Sequence, residues 1–288
     1  DVEKLIEAYR KDPKTARSPF KIDRGQLGFN FPPNFIIGQI KVGDQAKPGY
    51  ACGFIPVSPD DRVCMYLTSF TTYWPGILDK FGPADLTGLE IITREPQEIV
   101  NKIKSWGRLD ELSFFNSLIK ALPGKSNETR YDESVIRRAD LASIDSLTNL
   151  KSLGLCGPEL NGEDVADMHL LSTVSTLKIK RISNIKRLLD CLVKHNNLKE
   201  LWLLRQDIKD ADLEPLIAME NLETLRIRSS KLTAASAKFF KEMKSLKHLY
   251  ITQEWLPGEA EQFKKEIPIC VYESPTDLTY WRLFPNQP

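Results

Sequence analysis

Five short segments of this chain share one pattern, apolar-x-x-apolar-x-apolar: Leu150–Leu155, Val174–Ile179, Leu198–Leu203, Leu222–Ile227 and Leu246–Ile251. Their starting positions differ by 24 each time. Between them run three more columns of the same period: Leu141, Val165, Leu189, Leu213, Ala237; Ile144, Met168, Leu192, Leu216, Phe240; and Leu147, Leu171, His195, Met219, Met243. Within a repeat these columns lie three residues apart, the spacing of one face of a helix or helical turn, whereas the apolar-x-apolar pair alternates as a strand does. Each repeat is thus a strand and a helical segment that hide their apolar sides only by stacking on neighbours.

The pattern loosens towards the N-terminus. Leu86–Ile91 and Leu109–Phe114 fit the template 23 residues apart, and Val63–Leu67 supplies an earlier strand. Leu112 and Leu153 are 41 residues apart, which leaves room for one repeat bearing Tyr131 and Ile136 and an insertion at the turn-rich Pro123–Glu128. Ile267–Tyr272 reads as a last, irregular strand.

The run Asp-Ala-Asp-Leu-Glu-Pro-Leu-Ile-Ala-Met-Glu-Asn-Leu-Glu-Thr-Leu-Arg-Ile at 210–227 resembles the leucine-rich-repeat family in its 24-residue bacterial and ribonuclease-inhibitor-like forms. That resemblance implies an α/β solenoid: a right-handed horseshoe arc with its parallel sheet concave and its helices convex. The expected organisation is an N-terminal cap or small α+β segment over 1–62, the solenoid over 63–273 and a C-terminal cap or tail over 274–288. Residues 1–62 carry no clear repeat, and an independent functional domain there is the other reading. Val2, Leu5, Ile6 and Tyr9 have helical spacing, and Phe35–Val42 reads as strand.

Composition narrows the function classes. With 41% apolar residues in 288, the chain has enough for a substantial core, and 40 basic against 39 acidic residues give no global field to recruit nucleic acid or an anionic membrane. No apolar run is long enough to span a bilayer. The chain does not begin with Met, so two locations stand: the cytoplasm, or a secreted or periplasmic site reached with a signal peptide since removed. Five cysteines are too few and too irregular for a disulfide scaffold or zinc cluster, and only Cys52 and Cys64 invite consideration as a bridge.

No motif favours catalysis. There is no phosphate-binding Gly-rich loop, no His-Glu-x-x-His helix and no Gly-x-Ser-x-Gly elbow, so no catalytic residue, metal site or cofactor is assigned. His195 fills a column of Leu and Met and reads as a core or helix-edge residue; its spacing from Cys191 is weak as a metal signal. His169 falls on a convex segment, and Asp60-Asp61 reads as a turn.

The concave face is more informative. Residues between the paired apolar positions point away from the core: Glu90, Ser113, Gly154, Lys178, Trp202, Arg226 and Tyr250. The next outward row holds Ile92, Phe115, Cys156, Lys180, Leu204, Arg228 and Thr252, followed in two adjacent repeats by Arg181 and Arg205. With strands about 4.8 Å apart, six cations crowd around Trp202 and Leu204. Glu200 and Glu223 offset them in part, Glu223 through a ladder with Lys199 and Lys247. The candidate partner-binding set is therefore Lys178, Lys180, Arg181, Trp202, Leu204, Arg205, Arg226, Arg228, His248 and Tyr250, with Lys209 and Lys238 expected on the convex side. The plainer reading is that Lys178 and Arg226 merely flank Trp202 as cation–π neighbours.

The leading expectation is a non-enzymatic interaction module that grips an acidic or phosphorylated protein segment, with Arg forks for the charges and an exposed Trp202 and Tyr250 as apolar anchors. A face of this sign disfavours an inhibitor of a basic nuclease. Two alternatives stand: binding of an anionic polymer, either nucleic acid or an acidic glycan, and an unrecognised activity within residues 1–85.

Overall fold

The computed structural model describes residues 20–23, 26–31, 33, 36–45, 47–58, 60–67, 75–115, 134–228, 231–253 and 258–272. The chain forms two compact units, Asp1–Ser134 and Val135–Pro288. The helical spacing at Val2–Tyr9, Tyr131, the insertion at 123–128 and the tail at 274–288 fall outside the described residues.

The first unit contains an antiparallel sheet of β1 (Phe20–Asp23), β2 (Gln26–Asn30) and β5 (Phe54–Pro56), in that order. Its second sheet runs β8 (Glu111–Ser113), β7 (Gly88–Glu90), β6 (Val63–Leu67), β3 (Gly38–Val42) and β4 (Gly49–Tyr50). The loose repeats are in register, with Cys64 opposite Gly88, and Leu89 opposite Leu112 in parallel pairing. Of the strand foreseen at 35–42, Gly38–Val42 is strand and runs antiparallel to β6, while Phe35 lies outside the described residues. Gly38 permits that approach, because a Cβ there would lie 2.3 Å from the Tyr66 carbonyl oxygen. Phe29, Phe81 and Trp106 pack ring against ring at 6.2 and 6.3 Å centroid separations, beside helix α1 (Pro96–Ile103), which buries Ile99, Val100 and Ile103.

The second unit is a parallel sheet in the order β14 (Cys270–Tyr272), β13 (His248–Ile251), β12 (Thr224–Arg228), β11 (Glu200–Leu204), β10 (Thr176–Lys180), β9 (Ser152–Cys156). Its register is the 24-residue period itself. Leu153, Leu177, Leu201, Leu225 and Leu249 stand side by side, as do Leu155, Ile179, Leu203, Ile227 and Ile251. All ten are buried. Just before each strand the stacking repeats as a forked hydrogen bond: the N–H groups of Lys199 and Glu200 share the Ser175 carbonyl at 2.8 and 3.0 Å, those of Glu223 and Thr224 share Lys199 at 2.8 and 2.9 Å, and those of Lys247 and His248 share Glu223 at 2.8 and 3.0 Å.

The helical layer comprises α2 (Arg138–Asp145), α3 (Gly162–Ala166), α4 (Ile185–Leu192), α5 (Ala237–Glu242) and α6 (Glu259–Glu266), with 3₁₀ segments at His169–Ser172, Asp210–Ala218 and Ala234–Ser236. The three apolar columns face inward: every member is buried except His195, which is half-buried. Pro215 explains why Asp210–Ala218 is 3₁₀ where a full α-helix would fit the spacing, since its ring cannot donate and clashes with the preceding turn. Asp140, Asp164 and Asp212 occupy equivalent places and each accepts a backbone N–H three residues earlier, at 2.8, 3.2 and 2.8 Å. Gly162 lets adjacent repeats touch: its N–H bonds the Ser183 carbonyl at 2.9 Å, and a Cβ there would lie 2.2 Å from the Asn184 oxygen.

Leu203 is fully buried at the centre of this register. Leu203→Ala is expected to lower the free energy of unfolding by about 2–5 kcal/mol, through lost burial and a residual cavity. Chemical denaturation measures it, and a loss below about 1 kcal/mol would contradict the core assignment.

Candidate functional site

Strand alternation places Thr176, Lys178 and Lys180 of β10 on the sheet face opposite the leucine columns, with Glu200, Trp202 and Leu204 of β11, Thr224, Arg226 and Arg228 of β12, and His248, Tyr250 and Thr252 at β13. Lys178, Trp202, Arg226 and Tyr250 form one row of direct cross-strand partners.

That row is packed shut. Trp202 is only 4% exposed, and Lys178, Arg226 and Tyr250 are 8%, 5% and 5% exposed. The Lys178 ammonium sits 5.1 Å from the Trp202 ring centroid, the Arg226 guanidinium 4.8 Å from the same ring and 4.0 Å from that of Tyr250. Glu200 fixes the group from the same face: its carboxylate accepts the Trp202 indole N–H at 2.7 Å and the Arg226 Nε–H at 3.4 Å. The exposed Trp202 and Tyr250 anchors expected from the sequence are thus corrected. Long cationic chains laid over the ring bury it from both sides, which the alternation pattern alone does not reveal. The plainer reading of the sequence, cations flanking Trp202, describes this row.

The outer row differs. Lys180, Leu204 and Arg228 are half-buried, and Arg181 and Arg205 beyond them are exposed; His248, which pairs with Thr224, is exposed at the opposite ends of the strands. Arg181 and Arg205 follow their strands directly, both in the left-handed backbone region at φ 53° and 52°. That conformation costs a non-glycine residue roughly 1–2 kcal/mol. Gln206, buried beside them, takes the Arg181 N–H and donates to the Ile182 carbonyl, each at 2.9 Å with its amide oriented to satisfy both. The Arg181 N–H also reaches the Leu204 carbonyl at 3.2 Å, tying the two turns together.

At these turns opens a cavity of about 580 Å³, walled by Arg181, Arg205, Lys186, Lys209, Asp207 and Asp212 among others. The convex placement expected for Lys209 therefore needs correction, since it shares a wall with Arg181 and Arg205. Asp207 and Lys209 lie in the link before the 3₁₀ segment and Lys186 on the exposed side of α4, so none of the three carries a column signal. The available signal was the pair Arg181 and Arg205, one repeat apart.

Lys247 and Glu223 form the expected ion pair at 3.0 Å, and with Lys199 nearby they hold the Glu223 carboxyl below its ordinary range. His195 is pushed down from its usual value, chiefly by burial and then by Lys194. His169 lies on the helical layer and contacts the Asp145 carboxylate at 2.9 Å. Cys52 and Cys64 do not form the bridge considered for them; they and Cys156 and Cys191 are free thiols. Burial pushes the Cys64 thiol up to about 11. Among the described residues, no group of three or more His, Cys, Asp or Glu is placed to hold a metal, and no helix is long and apolar enough to cross a membrane.

No family model and no curated protein matches the chain. Among solved structures, it is similar to a leucine-rich-repeat protein of Leptospira interrogans at 12% identity, over 67% of this chain and 74% of that one, with a TM-score of 0.20. A likeness that low carries no argument, and the stacked repeats rest on their own register.

Proposed function

We propose that this protein is a non-enzymatic interaction module of the leucine-rich-repeat kind, a right-handed arc whose concave face grips an acidic or phosphorylated segment of another protein, with residues 1–62 and 274–288 serving as caps. The observation that supports it is the line of cations along one edge of the parallel sheet: Lys180, Arg181, Arg205 and Arg228, from three adjacent strands and the turns that follow them. A line of cations at one strand spacing is complementary in sign to an anionic partner. Lys178, Trp202, Arg226 and Tyr250 form the packed floor beneath, and the contacts with the partner come from the outer row, which includes Leu204, with His248 a separate contact at the opposite ends of the strands.

The test is a titration of the full chain with a labelled glutamate-rich peptide, a lysine-rich control, a single-stranded oligonucleotide and a sulfated glycan, at rising NaCl. The acidic peptide is expected to bind and to weaken with salt, and the lysine-rich one to stay unbound. Equal binding of the two peptides would contradict the reading. Tighter binding of oligonucleotide or glycan, with a steeper salt dependence, would replace the protein partner with an anionic polymer.

A further inference from the structure

Gln206 places an amide where the preceding repeat has an alkyl side chain. It is 3% exposed, and Ile182, 24 residues earlier in the same column, is buried as well. An amide leaves water at little cost only where both of its ends find partners. Both partners lie on the turn after β10: Gln206 accepts the Arg181 N–H and donates to the Ile182 carbonyl, each at 2.9 Å. The first group belongs to the peptide that precedes Arg181 and the second to the peptide that follows Ile182, so one side chain grips this two-residue stretch from both ends. Within it Arg181 holds φ at 53°, a region that a non-glycine residue keeps only where its surroundings fix it. Arg205, at φ 52°, directly precedes Gln206, so the amide reaches from one left-handed turn back to the other.

We infer that Gln206 is a positioning residue for Arg181 in the proposed binding edge. The inference rests on the binding reading and adds to it a residue too buried to touch the partner itself. Removing the amide takes an acceptor from the Arg181 N–H and a donor from the Ile182 carbonyl, and leaves the Leu204 carbonyl, at 3.2 Å, to restrain the same N–H. The backbone then returns towards negative φ, the region arginine prefers, which swings the Cα–Cβ bond away from its place at the end of β10. An arginine displaced in this way keeps its charge but loses its register with Lys180, Arg205 and Arg228. The loss therefore falls on directed, charge-assisted contacts more than on the field of the edge as a whole.

The test is a double-mutant cycle on the full chain, read as the dissociation constant of the glutamate-rich peptide, with each protein first shown by circular dichroism to be folded at the temperature used. Gln206→Met keeps the length of the side chain and removes its donor and acceptor, and it is expected to weaken binding about tenfold, the loss of one charge-assisted contact. In an Arg181→Asn background the guanidinium is gone and asparagine tolerates the left-handed turn. There the same substitution should change the affinity less than about twofold. A residue that only stabilises the fold would lower the melting temperature and leave the affinity of the folded protein unchanged, and that result overturns the positioning role. An equal loss in both backgrounds overturns it too, because Gln206 would then act on binding by a route other than Arg181. Should Gln206→Met fail to fold, Gln206→Asn, whose amide is one methylene short of both partners, takes its place in the cycle with the same expectations. Failure of the wild-type chain to bind the peptide overturns the binding reading itself, whereas binding indifferent to residue 206 overturns the positioning role alone.

Discussion

Trp202→Ala is expected to lower the free energy of unfolding by about 3–5 kcal/mol, the range for deleting a large aromatic side chain from a packed site. The indole is 4% exposed and serves as the middle layer of a stack, with Lys178 and Arg226 over its ring at 5.1 and 4.8 Å. Its removal abolishes two cation–π contacts, each of roughly 0.5–2 kcal/mol. It also deprives the Glu200 carboxylate of its 2.7 Å indole donor. The two buried cations then lose part of what offsets their desolvation. Urea unfolding measures the effect, with Trp202→Phe as the companion variant: a ring restores the π face but not the N–H, so this variant should fall between wild type and Ala. A Trp202→Ala protein as stable as wild type would show that the stack is not formed. An exposed anchor, by contrast, would alter partner binding and leave stability nearly unchanged, so the same two variants separate the two roles of this residue.

How much of this was legible beforehand differs from one feature to the next. The register was, because a period of 24 fixes which residues stand side by side, and strand alternation fixes which face each occupies. Leu153, Leu177, Leu201, Leu225 and Leu249 were therefore assigned correctly, and the loose repeats at 86–91 and 109–114 as well. The packing of the opposite face was not. A pattern says that Lys178, Trp202, Arg226 and Tyr250 share a row, yet whether long aliphatic stems fold over the rings or extend into water depends on their conformations and on Glu200. The left-handed turns at Arg181 and Arg205 were equally hidden, since no glycine marks them. Nor could the position of Lys209 be read, because it precedes the 3₁₀ segment that Pro215 imposes, in a link without periodicity.

A second large effect is expected from reversing charge at the sheet edge. The Arg205→Glu/Arg228→Glu double variant removes two charge-assisted contacts, each contributing roughly 1.5–3 kcal/mol, and sets like charges against an acidic ligand. Binding of the glutamate-rich peptide should therefore fall by more than about a hundredfold. The fold should survive. Arg205 is exposed and Arg228 half-buried at the strand end, and glutamate meets the same backbone cost as arginine at the φ of 52°. The appropriate control is Lys194→Glu/Lys238→Glu: both residues are exposed on the helical layer, whereas Lys209 shares the cavity wall with Arg205. The most direct measurement is the dissociation constant of that peptide for wild type and the two double variants, each first shown to melt as wild type does. The account predicts near-complete loss for the Arg205/Arg228 variant and wild-type affinity for the Lys194/Lys238 variant; undiminished binding by the former, or loss confined to the latter, would contradict it.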